Sequence, residues 1–548
     1  MASRITRSMQ CSVQVNEGNN VPHYKERRNG VMRSHRIAHR ISRRDLLKLG
    51  VGASSALWLK PNSSAAAPKR GGTFTVARQM RLIEFNPLNL IGGMYPLLQA
   101  IWSTLLHYDA KLNPQPELAE AWDLSSDGKI MTFKLRRGVK FHSGREFTSE
   151  DVKHSVAFSQ TDERATMRPM YQMIKQVETP DRYTVIFRFD KLYAGIFDVL
   201  DTLYIIDKET IEDRRKTAIG TGPFRVDKYI PNDRVEMVAF QDYWEKGKPY
   251  LDKYVVRDIP DVATLTINLE AGAVDCIFWL SNVDLARLKR GGGKFIADLG
   301  APGSGKYNIG INCKVEPFTN KKVRQAIAWS IDRARFCKTY LQGLWEPSCL
   351  MWPEHSWAYF TDLEGKIGFD LDKARSLLKE AGLEKGFETE IAASNSYIPG
   401  TPELALILQA DLKKIGINVR VLDLEAAAFQ SRTTIKRDIV LVSSSYGRAG
   451  RDPGSMVTGA RAWFTEQEAG WTHFESATYE KLRQDLQSTL DRQKRQAICR
   501  QIQELVLDEC FTIPVAPTQR PWAYASYVKD FSYTLDDSPN VASIWLDK

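Results

Sequence analysis

From Thr73 onward the chain alternates strand-like and helix-like segments to its C-terminus without an internal repeat, and this alternation restricts the fold to a mixed α/β architecture. Thr73–Arg78 is a β-type run, followed by the Asn86-Pro87 turn and an apolar helix-like stretch from Tyr95 to Leu106. Met131–Arg136, Thr184–Phe189, Phe224–Tyr229 and Val235–Phe240 have strand character. Later segments carry clear helix punctuation. Asn320 is placed to cap a helix with Val323, Ile327 and Ile331 on one face, and Asp372–Ala381 ends at Gly382. Thr401-Pro402 supplies an N-cap and an N1 proline, Leu404, Leu408, Leu412 and Ile415 repeat at helical spacing, and Gly416 closes that helix before a strand at Asn418–Leu424. A long helical stretch runs from Ala477 to Glu509, with a restart at Asp491. At 548 residues the chain exceeds what one compact core holds, so two or more lobes are expected.

The net charge of +10 invites a nucleic-acid reading until it is located. Residues 1–67 hold 12 Lys+Arg and 3 Asp+Glu, which leaves 64 basic and 63 acidic residues in the rest. Phosphate-backbone binding needs a clustered basic face to release counterions, and the overall balance gives no support for one. No nucleic-acid partner is expected.

The basic segment itself reads as an export signal. Ser42-Arg43-Arg44-Asp45-Leu46-Leu47-Lys48 resembles the twin-arginine motif, with Arg43 and Arg44 directly before a modest apolar run. That run, Leu46–Leu59, is shorter than the roughly 20 apolar residues of a membrane span. The small residues Ser64-Ala65-Ala66-Ala67 then offer a cleavage site near Ala66 or Ala67, with Pro68 just beyond. Residues 1–67 are therefore expected to be a signal segment recognised by the twin-arginine translocase, and the mature protein to be periplasmic. Residues 1–31 are long and polar for such a signal, and Met32 would make a more ordinary start. No cysteine follows the apolar run to carry a lipid anchor.

Six cysteines lie in the mature part, none with metal-type spacing. Cys499 and Cys510, if on one helix, stand roughly 16 Å apart, too far for a disulfide. Gly300-Ala301-Pro302-Gly303-Ser304-Gly305-Lys306-Tyr307 nearly spells a phosphate-binding loop, but Tyr307 replaces the required Ser or Thr and a strand follows instead of a helix. Neither Gly-x-Ser-x-Gly nor His-Glu-x-x-His occurs. His142 and His154, near Glu150 and Asp151, belong to a turn and a surface helix and make a poor metal set. No enzyme activity, catalytic residue, metal or cofactor is expected.

Three ordered blocks then carry a family resemblance. The first runs Leu118-Ala119-Glu120-Ala121-Trp122, Asp127-Gly128-Lys129, Thr132-Phe133-Lys134-Leu135-Arg136, Gly138-Val139-Lys140-Phe141-His142-Ser143-Gly144 and Phe147-Thr148-Ser149-Glu150-Asp151-Val152. The second is Gly220-Thr221-Gly222-Pro223-Phe224, continuing to Asn232 and Asp242-Tyr243-Trp244. The third is Val323-Arg324-Gln325-Ala326-Ile327 with Ile331-Asp332-Arg333, followed by Leu412-Lys413-Lys414-Ile415-Gly416 and Asp452-Pro453. Together they resemble the extracellular solute-binding proteins of family 5, which serve ABC importers for peptides, nickel chelates, opines and some sugars. Most of these residues read as scaffold. Asp127-Gly128 is a hairpin turn, Gly222-Pro223 a bend before a strand, and Thr148 a helix cap with Asp151 in the first turn.

The resemblance implies a two-lobed periplasmic-binding-protein fold with a hinge. Lobe 1 would comprise 68–106, 216–305 and 520–548, an inserted subdomain 107–215, and lobe 2 306–519. A ligand would sit between the lobes, and closure around it would present the loaded protein to the permease subunits of an ABC importer. The protein is expected to be a monomer.

Peptide-binding members hold the peptide's amino end with an aspartate in the loop before Asp-Pro. Here that loop is Ser445-Tyr446-Gly447-Arg448-Ala449-Gly450-Arg451-Asp452-Pro453, and Ala449 stands at the acidic position. Dipeptide-binding members place an arginine for the carboxylate where this chain has Asn395, in Asn395-Ser396-Tyr397-Ile398-Pro399. An ammonium buried without a counter-charge is costly, so ordinary dipeptides are disfavoured. Arg448 and Arg451 are candidates to pair with a carboxylate or phosphate; the alternative is that they face solvent or lock the loop to Asp452 or Glu425. Tyr446 would pack on the ligand or simply on the lobe, Tyr397 likewise, and Glu84 and Asn86 would line the cleft from lobe 1. With Ser445, these form the candidate ligand-binding set. The expected ligand is an oligopeptide, an opine-like compound or a glycoside. The competing classes are an exported hydrolase of amides, esters or glycosides, and a periplasmic haem- or unfolded-peptide-binding module.

Overall fold

The computed structural model describes residues 67–548 except 83, 91–92, 110, 214–215, 301–304, 448–450, 519 and 536. The export motif, Arg43 and Arg44 included, lies outside the described residues, as do Arg448 and Ala449.

Two large sheets organise the chain. The first has seven strands in the order Phe295–Asp298, Trp522–Ala525, Cys276–Phe278, Thr73–Arg78, Lys253–Asp258, Arg234–Ala239, Phe224–Ile230. Its central strand, Thr73–Arg78, runs parallel to both neighbours and is buried at Phe74, Val76 and Ala77. The second has five strands in the order Ile417–Asp423, Phe387–Ala393, Leu441–Gly447, Gly305–Ile311, Thr512–Thr518. A smaller four-stranded sheet, Ala119–Leu124, Ile130–Leu135, Thr184–Phe189 and Ile174–Asp181, shares one apolar core with the seven-stranded sheet, joining Phe133, Val152 and Phe187 to Phe74 and Tyr254. Lobe 1 is built on these two sheets and lobe 2 on the five-stranded one.

The chain crosses between the lobes twice, after Asp298 and after Thr518. The crossovers lie side by side. Gly305 pairs with Thr518 on the lobe 2 side, and Asp298 pairs with Trp522 on the lobe 1 side. Gly300 has φ +85°, and a Cβ there would strike the Arg520 carbonyl, so the two connections touch where only glycine fits. An apolar cluster continues through this region, joining Ile277, Leu285 and Ala523 to Tyr307, Ile309 and Val515.

Local sequence explains most elements. The Asp127-Gly128 turn closes the hairpin of Ala119–Leu124 with Ile130–Leu135, with Gly128 at φ +68°. Thr148 and Asp151 form a capping box on helix Ser149–Thr161. Asn320 caps Lys321–Ser330 through the Lys322 N–H at 3.0 Å. The long C-terminal stretch divides as its sequence indicates, into Ala477–Ser488 and Arg492–Glu509, with Asp491 accepting from the Lys494 N–H at 2.8 Å.

Two expectations need correction. The helix that starts at Tyr95 stops at Ile101, and Leu106 opens a strand, Leu106–Tyr108. Thr401 is not the cap of its helix: Gly400 takes that position at φ +91°, and the Thr401 hydroxyl is engaged with the carbonyls of Ile398 (2.9 Å) and Ser394 (3.2 Å).

The Gly220-Thr221-Gly222 segment has a packing reason that its sequence does not reveal. It lies against the end of helix Tyr95–Ile101, where the Gly222 N–H donates to Ile101 O at 2.9 Å. A Cβ on Gly220 would fall on that same carbonyl. Gly220→Ala should therefore cost about 1–3 kcal/mol as an overpacking change, read as a lower urea midpoint with an unchanged slope.

Candidate functional site

The edge of lobe 2 nearest the crossovers collects most of the candidate residues. Strands Phe387–Ala393 and Leu441–Gly447 run parallel, so both end at the same edge of the sheet, from which segment 394–400 leaves. Gly305, where the chain enters lobe 2, pairs with Gly447.

Ser445 is partly exposed, and its main chain pairs with Tyr307. Asn395 is exposed, with its N–H 3.5 Å from the Asp423 carboxylate. Tyr397 is 44% exposed, its ring 5.6 Å from that of Phe429. Both are therefore open at this edge.

Tyr446 has a different role from the ligand-packing one considered for it. Its ring is buried edge-on against Trp463 at 5.0 Å, and its hydroxyl donates to Met351 O at 2.8 Å. These contacts make it part of the lobe 2 core. Trp463 belongs to the same core.

Glu84 and Asn86 are also committed within lobe 1. Glu84 pairs with Arg164 at 2.5 Å, while the Asn86 amide donates to Asp162 at 2.7 Å and accepts from the Leu88 N–H at 3.1 Å. Both side chains thus tie the first loop to the segment after helix Ser149–Thr161.

Arg451 provides the largest departure from expectation. It is buried, and its guanidinium pairs with Asp201 of lobe 1, not with Asp452 or Glu425. Asp452 instead makes a two-pronged pair with Arg495 at 2.5 and 2.8 Å and caps helix Pro453–Gly459 through the Gly454 N–H at 2.9 Å. Asp201 and Arg495 were invisible as partners in the sequence, since they stand 250 and 43 residues from the groups they meet.

Lys306, from the loop that mimics a phosphate site, lies in a strand of lobe 2 and is fully enclosed. Its ammonium donates to Leu350 O at 2.7 Å and Ser348 Oγ at 2.8 Å. Burial pushes its pKa down to about 8, with Glu364 pulling the other way. Burial also pushes Glu364 up, but hydrogen bonds from the Cys349 N–H (2.9 Å), the Cys349 thiol (3.3 Å) and Ser348 (3.0 Å), with Lys306 nearby, prevail and hold it below its usual range. Lys306 is thus spent on protein groups and does not face a phosphate.

His142 is likewise occupied on both ring nitrogens. The Gly220 N–H donates to Nδ1 at 3.3 Å, which leaves Nε2 to donate to Gly222 O at 2.9 Å. Burial pushes its pKa down to about 4, so the ring is neutral at pH 7. Among the described residues no group of three or more His, Cys, Asp and Glu side chains could hold a metal ion, and the six cysteines present are free thiols.

Two α/β lobes joined by two adjacent crossovers, with the candidate residues along the edge beside them, define the class of the hinged, two-lobed periplasmic binding proteins. Residues 113–466 match the model of the bacterial extracellular solute-binding proteins, family 5, and the chain belongs to that family. It is 28% identical over 433 residues to the dipeptide-binding protein of Escherichia coli K12, covering 73% of this chain and 80% of that protein. It is 27% identical over 491 residues to heme-binding protein A of Haemophilus influenzae, covering 82% of this chain and 88% of that protein. Among solved structures, HbpA2 from Haemophilus parasuis superimposes with a TM-score of 0.76 at 25% identity, over 87% of this chain and all of that one. Family members are binding proteins, and they deliver small ligands or peptides to the permeases of ABC importers.

Proposed function

We propose that this chain is the exported solute-binding component of an ABC importer and performs no chemistry on its cargo. Its lobes, with the bounds expected from sequence, close on a small polar ligand that is an oligopeptide, an opine-like compound or a glycoside. Export through the twin-arginine translocase, cleavage near Ala66 or Ala67, a periplasmic location and a monomeric state complete the reading.

One observation carries the ligand class. The loop before Asp452-Pro453 has Ala449 where an ammonium anchor would be needed, and its Arg451 already has a partner in Asp201. A free amino terminus at that position would have no acidic group from this loop, and a buried, unpaired ammonium is costly. That disfavours dipeptides, whose two charged ends make up much of the molecule, more than longer or neutral ligands held through backbone and hydroxyl groups.

The test begins with native mass spectrometry of freshly purified protein, to find a co-purified molecule. Thermal shifts then follow with dipeptides, oligopeptides, opines, oligosaccharides, nickel chelates and haemin, the last because of the similarity to heme-binding protein A. A true ligand at ~100-fold over its Kd adds about 2.7 kcal/mol to stability. Dipeptides are expected to leave the midpoint unchanged. Clear stabilisation by several of them would overturn the missing-anchor argument, and turnover of an amide, ester or glycoside abolished by a single substitution would overturn the non-enzymatic reading.

A further inference from the structure

The contact between the lobes is itself built from buried charge. Arg451, just before the Asp-Pro pair of lobe 2, meets Asp201, just after helix Ile196–Leu200 of lobe 1, and both side chains are about 95% buried. The other carboxylate oxygen of Asp201 accepts the Tyr108 N–H at 3.0 Å, which fixes its orientation from the lobe 1 side. Next to this pair, the Asp452 N–H donates to Asp198 Oδ1 at 3.2 Å, and the Ala194 N–H donates to Gln487 O at 3.0 Å. Tyr193 Oη lies 3.4 Å from Ser455 Oγ, and Gly195 leaves no room for a side chain, since a Cβ there would stand 2.5 Å from that same oxygen. The Tyr108 phenol is buried near the carboxylates of Asp198, Asp452 and Asp201, and Arg495 holds Asp452 from behind.

We propose that Arg451 and Asp201 are positioning residues that clasp the two lobes together before any ligand arrives. The proposal deepens the reading of this chain as a hinged binding protein and rests on it. The pair is made only when the lobes meet. Opening returns both charges to water, so the intact pair carries a modest net energy, whereas removing one partner takes the charge compensation that crosses between the lobes away from the other in the closed form alone. The closed form is therefore the one a single substitution penalises. A clasp of this kind raises the fraction of free protein in the binding-competent shape, and the apparent affinity for a ligand rises with that fraction. It also means that Arg451 confers no preference for anionic ligands, because its charge is already matched.

The experiment needs no ligand. Spin labels placed at the exposed Lys153 of lobe 1 and Lys481 of lobe 2 report the interlobe distance in the free, full-length mature protein. The unsubstituted protein should show one dominant short distance. The isosteric Asp201→Asn should shift the open-to-closed ratio at least ~10-fold toward open, and Arg451→Gln should do the same. Combining them should restore much of the short distance, because two amides pair with no net charge buried, whereas a charge facing an amide is hydrogen-bonded but not neutralised. Gly195→Ala, which changes no charge, should also open the molecule by crowding Ser455. A free protein already fully open, or single variants that leave the distances unchanged, would overturn the clasp. Either result would leave the ligand panel free to succeed or fail independently.

Discussion

Replacing Asp452 with alanine should destabilise lobe 2 by about 3–5 kcal/mol, the penalty for stranding a buried charge. Both partners of the Asp452–Arg495 pair are more than 90% buried. Burial would lower the pKa of Arg495, yet the carboxylate beside it prevails and raises it. Alanine would leave that guanidinium facing Trp357, whose ring lies 5.2 Å away, and would also strip helix Pro453–Gly459 of its cap. The measurement is the guanidinium midpoint of the lobe 2 transition. Replacing the pair together, as Asp452→Ala with Arg495→Met, should recover most of the loss, since a buried pair exchanged for apolar groups is often neutral. A single variant within about 1 kcal/mol of the parent would mean that the pair does not support the loop.

The second large effect concerns Lys306 and appears only as a function of pH. Its pKa is about 8 in the folded protein, against the ordinary 10.5 when unfolded. Between those values the unfolded chain binds the proton more tightly, so stability contributed by this group rises with pH across the window. The full change is about 3 kcal/mol. The buried thiols work in the opposite direction over part of the same range: burial pushes Cys313 up to about 11 and Cys510 up to about 12, which favours the folded state less as pH climbs. The effect must therefore be read as a difference. Lys306→Met should hold an advantage over the parent at pH 7.5 that shrinks by about 3 kcal/mol by pH 10.5, and a constant offset across that range would refute the assignment.

Much of the scaffold was legible because its signals are local. The Asp127-Gly128 turn, the Thr148 cap and the break at Asp491 each act within a few residues of themselves, and each appears where its spacing places it. Thr401 was misread because a hydroxyl that can cap a helix can equally bond a neighbouring carbonyl, and tertiary packing decided in favour of Ser394 and Ile398. The site was much less legible. Tyr446 has the residue type of a ligand platform, but its face of the strand turns toward Trp463. Arg451 has the charge of an anion anchor, but the acid that neutralises it, Asp201, stands 250 residues away just past a helix of the other lobe. Glu84 and Asn86 are committed to Arg164 and Asp162 in the same way. No pattern within a loop can announce a partner that only the fold brings near.

Because Gly300 rests on the Arg520 backbone, the two straps joining the halves behave as one spine. Strand pairing grips that spine above at Gly305 and Thr518 and below at Asp298 and Trp522. Sliding or twisting one half against the other would have to tear a ladder at one of these grips, whereas bending about the line between them leaves both ladders whole and parts only the contacts around Arg451 and Asp201. The molecule is thereby left with a single inexpensive movement, that of a book on its binding.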